Sequence, residues 1–212
     1  MDEAGFPDAI ICVSGDLDER SINSLVQQGA KIDSWGVGTR LITSSDYPAL
    51  GGVYKLAAVI EKDGSMTAKI KLSDNTVKIT NPAFKNLYRL YDKDSGMAIA
   101  DLITVRDEEV EEDKPLTIFH PVETWKEHEV ENFRAEKLQH TIIKQGELVY
   151  QFPKLMEIQA FSKSQISKFW EEYLRLDMPE LYKVDLSKKL HGLKSKMIDD
   201  IRRKNKKKGT EV

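Results

Sequence analysis

The sequence has 212 residues, of which 32 are Lys or Arg and 35 are Asp or Glu, giving a formal charge of −3. This length allows one ordinary domain or two small ones with a real core, and a hydrophobic content of 40% argues against full disorder. The near-neutral charge argues against a dedicated nucleic-acid-binding protein, which needs clustered Lys and Arg, and apolar runs such as residues 9–13 are far shorter than the roughly 20 residues of a membrane span.

The first segment, residues 1–56, predicts a β-α-β unit. Residues 9–13 form a short apolar run that is typical of a strand buried on both faces. Asp16 and Asp18 follow as candidate N-caps of an amphipathic helix. Residues 32–35 then form a second strand. A helix between two strands favours a parallel pair with a right-handed crossover, because a tight turn cannot join parallel strands.

The second segment, residues 57–113, predicts antiparallel β-structure that ends in an acidic linker. Asp63 and Gly64 form a hairpin signal, and charged and apolar residues alternate after it, as in strands with one face in water. Strands are predicted, in chain order, over residues 53–60, 66–72, 77–79, 87–91 and 99–105. Residues 107–113 carry six acidic side chains in seven positions, which indicates a solvated linker.

The third segment, residues 114–212, predicts strands followed by helices. Strands are predicted over residues 116–119 and 146–150. Apolar residues at helical spacing over residues 166–174 then predict a helix that Met178 and Pro179 end, with its aromatic side chains in the core. Asp185 is a candidate N-cap of a last amphipathic helix.

The most informative local feature is the step from the second strand into Gly36, Val37, Gly38 and Thr39. Two glycines one residue apart allow backbone N–H groups to turn toward a bound anion without an intervening Cβ. The threonine adds a hydroxyl donor, and a following helical turn would direct its positive end to the same place. These four residues are therefore a candidate phosphate-binding loop. A tight turn after a strand is the plain alternative, since the segment lacks the third glycine of the dinucleotide fingerprint and the Gly-Lys of a P-loop.

Gly15 and Asp16 follow the first strand in the same way. Ligands in parallel α/β sheets and barrels collect at the C-terminal ends of the strands. An aspartate there can accept hydrogen bonds from a sugar diol, and a glycine permits close backbone approach. Asp16 is equally open to the interpretation of a simple helix cap. One pocket at both strand ends would explain both glycine-containing segments.

The remaining chemistry-bearing residues predict structural roles. The histidines show no spacing typical of a metal site and indicate surface or satisfied core positions: His120, His128, His140 and His191. Cys12 lies in the apolar run of the first strand and is predicted to be a buried, inert thiol; a single cysteine also excludes an internal disulfide. The basic run at residues 202–208 predicts a frayed, solubilising tail. Acidic residues open the chain in place of a signal peptide, so the protein is expected to be soluble and cytoplasmic.

A long ordered series of strings in this sequence resembles nicotinate phosphoribosyltransferase. The strings lie at residues 14–19, 32–41, 48–56, 71–73, 78–82, 88–91, 100–103, 120–125 and 132–135. The first reads Ser-Gly-Asp-Leu-Asp-Glu, and the second contains Trp-Gly-Val-Gly-Thr-Arg. The last two look like the form found in Gram-positive bacteria. The resemblance covers nearly the whole chain, and the series is far more specific than any one string.

The resemblance implies an α/β fold. Residues 1–56 would be the C-terminal portion of a type II phosphoribosyltransferase α/β barrel and would carry the phosphate-binding loop. Residues 57–113 would be the antiparallel β-rich segment with its acidic linker. Residues 114–212 would be a C-terminal domain of strands and then helices, closed by the basic tail.

The resemblance also implies the activity of a transferase in NAD salvage. Such an enzyme joins nicotinate to phosphoribosyl pyrophosphate, a glycosyl transfer that yields nicotinate mononucleotide and pyrophosphate, and couples ATP hydrolysis to it as a ligase does. Mg²⁺ is implied as well, and the family is usually homodimeric. In the family the positions that match Gly38 and Thr39 hold the 5′-phosphate, and the position that matches Asp16, beside Gly15, faces the ribose.

The sequence departs from the family in two respects. The large N-terminal region of the family, with its phosphorylated histidine, its base-binding arginine and an Asp-Ser-Gly segment, has no counterpart here. We therefore assign no catalytic residue and no metal ligand. We expect the chain alone to be inactive, to bind no Mg²⁺ or ATP by itself, and to need the missing part of the same enzyme. The second departure is Ala83, where the family tends to have glycine.

Two alternatives stay open. A related type II transferase that uses nicotinamide or quinolinate would share this part of the chain, because base choice depends on the absent arginine region. A non-catalytic interaction module is the other, in which the turn at residues 36–39 is purely structural. In either case residues 9–13 predict an apolar strand edge that self-associates or takes up a partner.

Overall fold

A computed structural model describes residues 2–123 and 125–208 of the chain. Within these ranges the chain forms two compact units. The first contains residues 2–53 together with the short stretch 176–178, and the second contains residues 54–175 and 179–208. The predicted boundaries at residues 56 and 113 stay predictions.

The first unit is a β-α-β arrangement that ends in a helical turn. After a short 3₁₀-helix at Asp2–Ala4, it contains β1 (Cys12–Gly15), α1 (Glu19–Gln27), β2 (Ser34–Val37) and α2 (Thr39–Ile42). Strands β1 and β2 pair in parallel, which confirms the predicted crossover.

The prediction of a doubly buried first strand is wrong for the described chain. Strand β1 begins at Cys12, and most of its residues are exposed. The reason is that β2 is its one neighbour in the sheet among the described residues, so the apolar run at residues 9–13 is left uncovered. Cys12 is exposed for the same reason and is not the buried thiol that its apolar neighbours predict.

Helix α1 is capped at both ends as its sequence requires. The carboxylate of Asp18 accepts a hydrogen bond from the Ser21 N–H at 2.8 Å, and Ser21 Oγ accepts one from the Asp18 N–H at 2.9 Å. This reciprocal pair is a capping box. After the C-terminus Gly29 adopts φ +77°, the left-handed conformation that closes many helices.

The second unit is built on β-strands, with helices following them in the chain. In order, its elements are β3 (Ala58–Ile60), β4 (Met66–Ala68), a 3₁₀-helix (Thr76–Lys78), β5 (Lys85–Asp92), β6 (Ala98–Val105), β7 (Leu116–Phe119), β8 (Glu127–Val130), β9 (Phe133–Lys137), β10 (Ile143–Lys144), β11 (Glu147–Leu148), α3 (Leu155–Ile166), α4 (Glu171–Leu174), β12 (Val184–Ser187) and α5 (Lys188–Lys208).

Six of these strands form one mixed sheet in the order β8-β7-β12-β6-β5-β9. Neighbours are antiparallel except β12 and β6, which pair in parallel. Strands from both sides of residue 113 therefore share this sheet. Two apolar clusters pack on it: Leu90, Ala100, Leu102, Ile118, Val130 and Phe133 form one, and Ala83, Val105, Leu186 and Leu190 form the other. Leu102 and Val105 lie three residues apart on β6, so the clusters occupy opposite faces.

Several predicted strands are confirmed and others are wrong. The hairpin at Asp63 and Gly64 joins β3 to β4, and the pair β5 and β6 matches its prediction closely. Residues 53–57, 69–72 and 77–79, however, are not strands. Thr80 Oγ1 accepts the Lys71 N–H, and Asn75 Oδ1 accepts the Val77 N–H, so side chains take the bonds that a strand ladder would use.

The single helix predicted over residues 166–174 is wrong. Helix α3 ends at Ile166, and α4 begins at Glu171. Between them the carbonyl of Lys168 accepts the N–H of Ala98 at the start of β6, which draws the backbone out of helical geometry. The predicted aromatic packing holds for Phe169 and Tyr173, whose rings lie 5.0 and 5.3 Å from that of Tyr182. It is wrong for Trp170, which is 45% exposed.

The start of the last helix also differs from its prediction. Asp185 lies in β12, an interior strand of the sheet, and Ser187 caps α5 by accepting the Leu190 N–H at 3.2 Å. The basic run at residues 202–208 continues α5 as helix, so the prediction of a frayed tail is wrong over this range. No helix in the described part of the chain is long and apolar enough to cross a membrane.

The acidic segment at residues 107–113 has no helix or strand, as a linker would, but it is bound to the sheet. Glu108 accepts a hydrogen bond from Ser187 Oγ at 2.6 Å, and Glu112 accepts one from the Ala135 N–H at 2.7 Å. Val110 packs against the apolar core. Its acidic side chains are therefore partly structural.

Candidate functional site

The structure brings the two predicted strand ends together. In the parallel pair Ser14 lies opposite Gly36 and Gly15 lies opposite Val37. The segments that leave β1 and β2 therefore start side by side at one edge of the two-stranded sheet. Asp16 follows Gly15 on one segment, and Gly38 and Thr39 follow Val37 on the other. This adjacency is what a single ligand contacting both segments requires.

The backbone geometry requires glycine at two positions of this edge, Gly15 and Gly36. Gly15 has φ +139°, a conformation that residues with a Cβ rarely adopt. A Cβ at Gly36 would lie 2.8 Å from the Cβ of Ser14 on the neighbouring strand, so only glycine permits this close pairing. These two glycines shape the edge on which the candidate site lies.

Gly38 differs, because a Cβ added there would meet no atom within 4 Å. It is the N-cap of α2, and its carbonyl accepts the N–H groups of Leu41 and Ile42, each at 3.1 Å. The first amides of a helical turn have no partner within the helix. The backbone at Gly38 and Thr39 is therefore exposed and open to an approaching anion, which is the geometry that a phosphate-binding loop needs.

Asp16 is exposed and does not cap α1, because Asp18 performs that function. The helix-cap interpretation of Asp16 is thus excluded. What remains for Asp16 is its position directly after Gly15, where its carboxylate is accessible to a ligand.

The structure adds an ion pair that the sequence did not reveal. Arg40 Nη1 lies 2.9 Å from Asp18 Oδ2 and so connects the segment after β1 to the turn after β2. The hydrogen bonds from Ser21, together with the charge of Arg40, lower the pKa of Asp18 below its ordinary value. The sequence shows Arg40 two residues after Gly38, but it does not indicate that the partner of Arg40 is Asp18, 22 positions away. The pair braces the two sides of the candidate site.

The prediction of surface or satisfied core positions holds for His120 and is wrong for His191, whose Nε2 is buried without a hydrogen-bond partner among the described residues. His120 Nδ1 accepts the N–H groups of Val122 and Glu123, as a turn former does. His191 stacks on Phe119 with ring centres 4.5 Å apart. Among residues 2–123 and 125–208, no three His, Cys, Asp or Glu side chains lie together as a metal site would require.

Comparison with known proteins adds family information. The family model described as nicotinate phosphoribosyltransferase C-terminal domain matches residues 84–194. The chain is 45% identical over 209 residues to nicotinate phosphoribosyltransferase of Bacillus subtilis, and the match covers 95% of the chain but 42% of that protein. The corresponding Homo sapiens protein is 31% identical over 184 residues, with 87% of the chain and 33% of that protein covered. The chain thus spans less than half the length of these relatives.

A solved structure shares the fold. The crystal structure of human nicotinic acid phosphoribosyltransferase superposes with a TM-score of 0.66 at 24% sequence identity, over 93% of this chain and 36% of that chain. This likeness extends over both compact units and indicates a mixed α/β architecture for the chain as a whole.

Proposed function

The chain belongs to the nicotinate phosphoribosyltransferase C-terminal domain family, and on this premise we propose that it is part of an enzyme of NAD salvage. The reaction is the transfer of a phosphoribosyl group from phosphoribosyl pyrophosphate to nicotinate, with nicotinate mononucleotide and pyrophosphate as products. The relatives named for nicotinate favour this base over nicotinamide or quinolinate.

The observation that supports the proposal most is the adjacency of the two strand ends. We assign the 5′-phosphate of the nucleotide to the loop Gly36, Val37, Gly38 and Thr39. Open space above Gly38 is consistent with an anion that approaches the backbone amides. We assign the ribose hydroxyls to Asp16, whose exposed carboxylate accepts hydrogen bonds, with Gly15 beside it.

This arrangement would contribute to catalysis by positioning. Cleavage of the bond from C1′ to pyrophosphate builds positive charge on the ribose ring, so the sugar must be held while the pyridine nitrogen approaches in line. An anchored 5′-phosphate fixes one end of the sugar, and the Asp16 carboxylate fixes its orientation. By analogy with oxyanion sites, loss of one good donor to the phosphate costs about 2–4 kcal/mol of transition-state stabilisation.

Mg²⁺ and ATP belong to the proposed reaction of the whole enzyme. No three carboxylate, histidine or cysteine side chains lie together among the described residues, and we propose no metal ligand in this chain. We therefore assign the pyrophosphate end of the site, the base-binding residues and the coupling to ATP to sequence outside this chain. We further propose that the enzyme is a cytoplasmic homodimer and that the chain alone is inactive.

The proposal is tested with a chimera. The purified 212-residue chain, given nicotinate, phosphoribosyl pyrophosphate, ATP and Mg²⁺, is expected to form no nicotinate mononucleotide. A chimera in which the chain replaces the matching part of the Bacillus subtilis relative is expected to form it. In that chimera Gly38→Val is expected to lower kcat/KM about 30- to 1,000-fold, the equivalent of the 2–4 kcal/mol above.

The matched control is Gly192→Val. Gly192 is an exposed glycine of the second unit where an added Cβ would likewise meet no atom within 4 Å. This variant is expected to keep the activity of the chimera. An inactive chimera beside an active Bacillus subtilis enzyme would contradict the assigned function. Product formed by the chain alone would contradict its proposed dependence on the rest of the enzyme.

A further inference from the structure

The second unit contains a cavity that the proposed reaction does not use. It has a volume of about 340 Å³ and lies between residues 76–79, the turn at Pro121 and Val122, and one face of α5. We call it the α5 pocket. A cavity of this size is within the range that holds small organic ligands.

A buried cation lines the α5 pocket. Lys194 is 5% exposed, and its ammonium group donates to Asn81 Oδ1 and to the carbonyl of Pro121, each at 2.8 Å. Both partners are uncharged. An ammonium group has three protons to donate, and these two acceptors take two of them. Burial lowers the pKa of Lys194, as expected for a charge removed from water without an opposite charge beside it.

The neighbouring Lys85 has a purely structural role, and all three donors of its ammonium group have acceptors. Its Nζ lies within hydrogen-bond distance of three carbonyl oxygens, those of Asn81, Pro82 and Ala83. Among the described residues Lys194 has two such partners, Asn81 and Pro121, and it lines a cavity. The third donor of Lys194 is therefore available to an acceptor that the cavity holds.

The rest of the lining indicates which acceptor fits. Arg202 adds a second positive charge and Asp199 one negative charge, so the ionised side chains around the cavity sum to +1. A singly charged anion neutralises this sum, whereas a phosphate dianion would leave an excess negative charge beside Asp199. Ile79 and Ile198 provide apolar surface for the body of the ligand.

We propose that the α5 pocket binds a small organic monocarboxylate. Its carboxylate would pair with Lys194 and Arg202, and its apolar body would lie against Ile79 and Ile198. The site is formed entirely by residues of the second unit and does not depend on the phosphoribosyl-transfer function.

The test is an amide-detected NMR titration of the chain with benzoate, which combines one carboxylate with an apolar ring. Benzamide is the neutral probe of the same shape, and inorganic phosphate is the alternative anion. Benzoate is expected to shift the amides of residues 194–202 in a saturable way, with benzamide binding at least tenfold more weakly because it lacks the charge. Comparable binding of benzamide, or stronger binding of phosphate at these amides, would overturn the proposal.

Three variants and a control locate the binding. Arg202→Gln is expected to weaken benzoate about fivefold, and Lys194→Met at least tenfold, because each removes one charge-assisted hydrogen bond. Asp199→Asn is expected to tighten binding a few-fold, because it removes a repulsive charge. Lys196→Met, an exposed lysine on the same helix outside the pocket lining, is expected to change nothing.

Arg202 and Asp199 are less buried than Lys194, so their variants keep the test decisive even where Lys194→Met fails to fold. Benzoate affinity that is unchanged in both Arg202→Gln and Asp199→Asn would refute the site. Absence of saturable shifts at residues 194–202 in the unmodified chain would refute it as well.

Discussion

Replacement of Asp101 by asparagine is expected to destabilise the second unit strongly. The carboxylate of Asp101 accepts hydrogen bonds from Nε and Nη2 of Arg89 at 2.8 and 3.0 Å and from the hydroxyl of Tyr182 at 3.0 Å. Asp101 is 8% exposed. The guanidinium of Arg89 also lies over the ring of Phe169, 4.9 Å from its centre. The network therefore links the β5–β6 pair to Phe169 and Tyr182.

The magnitude follows from burial. The side chains of Arg89 and Asp101 are 17% and 11% exposed, so the loss of the carboxylate leaves a mostly buried guanidinium without a counter-charge. Breaking one partner of a buried pair costs about 3–5 kcal/mol. Asparagine keeps one acceptor oxygen for the arginine, so we expect the low end, about 3 kcal/mol. Replacing both partners, as Arg89→Met with Asp101→Leu, is expected to cost less than the single change, because no unpaired charge remains.

The assay is urea-induced unfolding of the chain followed by far-UV circular dichroism and by tryptophan fluorescence. Asp107→Asn is the matched control, since Asp107 pairs with Lys189 at 3.1 Å through side chains that are 76% and 55% exposed. Exposed pairs contribute less than about 1 kcal/mol. A loss below about 1 kcal/mol for Asp101→Asn, or a double variant no more stable than the single one, would refute the reasoning.

Three further outcomes are expected. His191→Phe should stabilise the chain by about 1 kcal/mol, because Nε2 of His191 is buried without a partner among the described residues. Burial, together with the charge of the nearby Lys194, lowers the pKa of His191 in the folded state. The unfolded chain therefore binds a proton more readily, and the folded state loses stability as the pH falls below about 6.5. Denaturation curves of His191→Phe should lack this pH dependence. Ala83 is 1% exposed and has φ +68°. Ala83→Gly should leave the free energy of unfolding nearly unchanged, because relief of about 1–2 kcal/mol of backbone strain offsets the lost methyl group. Ala83→Val should lower the free energy of unfolding in urea by more than about 2 kcal/mol. The chain should self-associate through the uncovered edge at residues 9–13, where Ile10 is 71% exposed, and Ile10→Lys should reduce this in sedimentation velocity; a monomeric unmodified chain with protected amides there would contradict the expectation.

Local patterns in the sequence predicted the elements whose hydrogen bonds are local. The hairpin at Asp63 and Gly64 and the strands around residues 87–91 and 99–105 depend on turn residues and on two-residue alternation. The adjacency of the two strand ends followed from the rule that a helix between strands gives a parallel pair. This is why the geometry of the candidate site was accessible from sequence.

Elements that depend on distant partners were not predictable in this way. Strand β12 reads as the start of a helix at Asp185, and it becomes a strand because β6 and β7 flank it in the sheet. The break between α3 and α4 depends on a hydrogen bond from the N–H of Ala98 to the carbonyl of Lys168, 70 positions later in the chain. The brace between Asp18 and Arg40 is equally non-local. In each case tertiary contacts override local propensity.

Ala83 stands at a position where the family tends to have glycine. The resemblance indicated a glycine position, and the structure gives the physical reason, since Ala83 adopts the left-handed conformation that glycine occupies without strain. The ammonium group of the nearby Lys85 donates hydrogen bonds to the three carbonyls of this turn, those of Asn81, Pro82 and Ala83. Those three bonds hold the strained turn in place.

The most direct measurement of the central claim is a calorimetric titration of nicotinate mononucleotide into the chain, with Gly38→Val and Gly192→Val as variants. We expect weak, saturable binding to the unmodified chain and to Gly192→Val, together with loss of binding in Gly38→Val, because a side chain at that position occupies the space assigned to the 5′-phosphate. Equal binding by all three proteins would show that the nucleotide does not use the edge formed by β1 and β2, and would contradict the account.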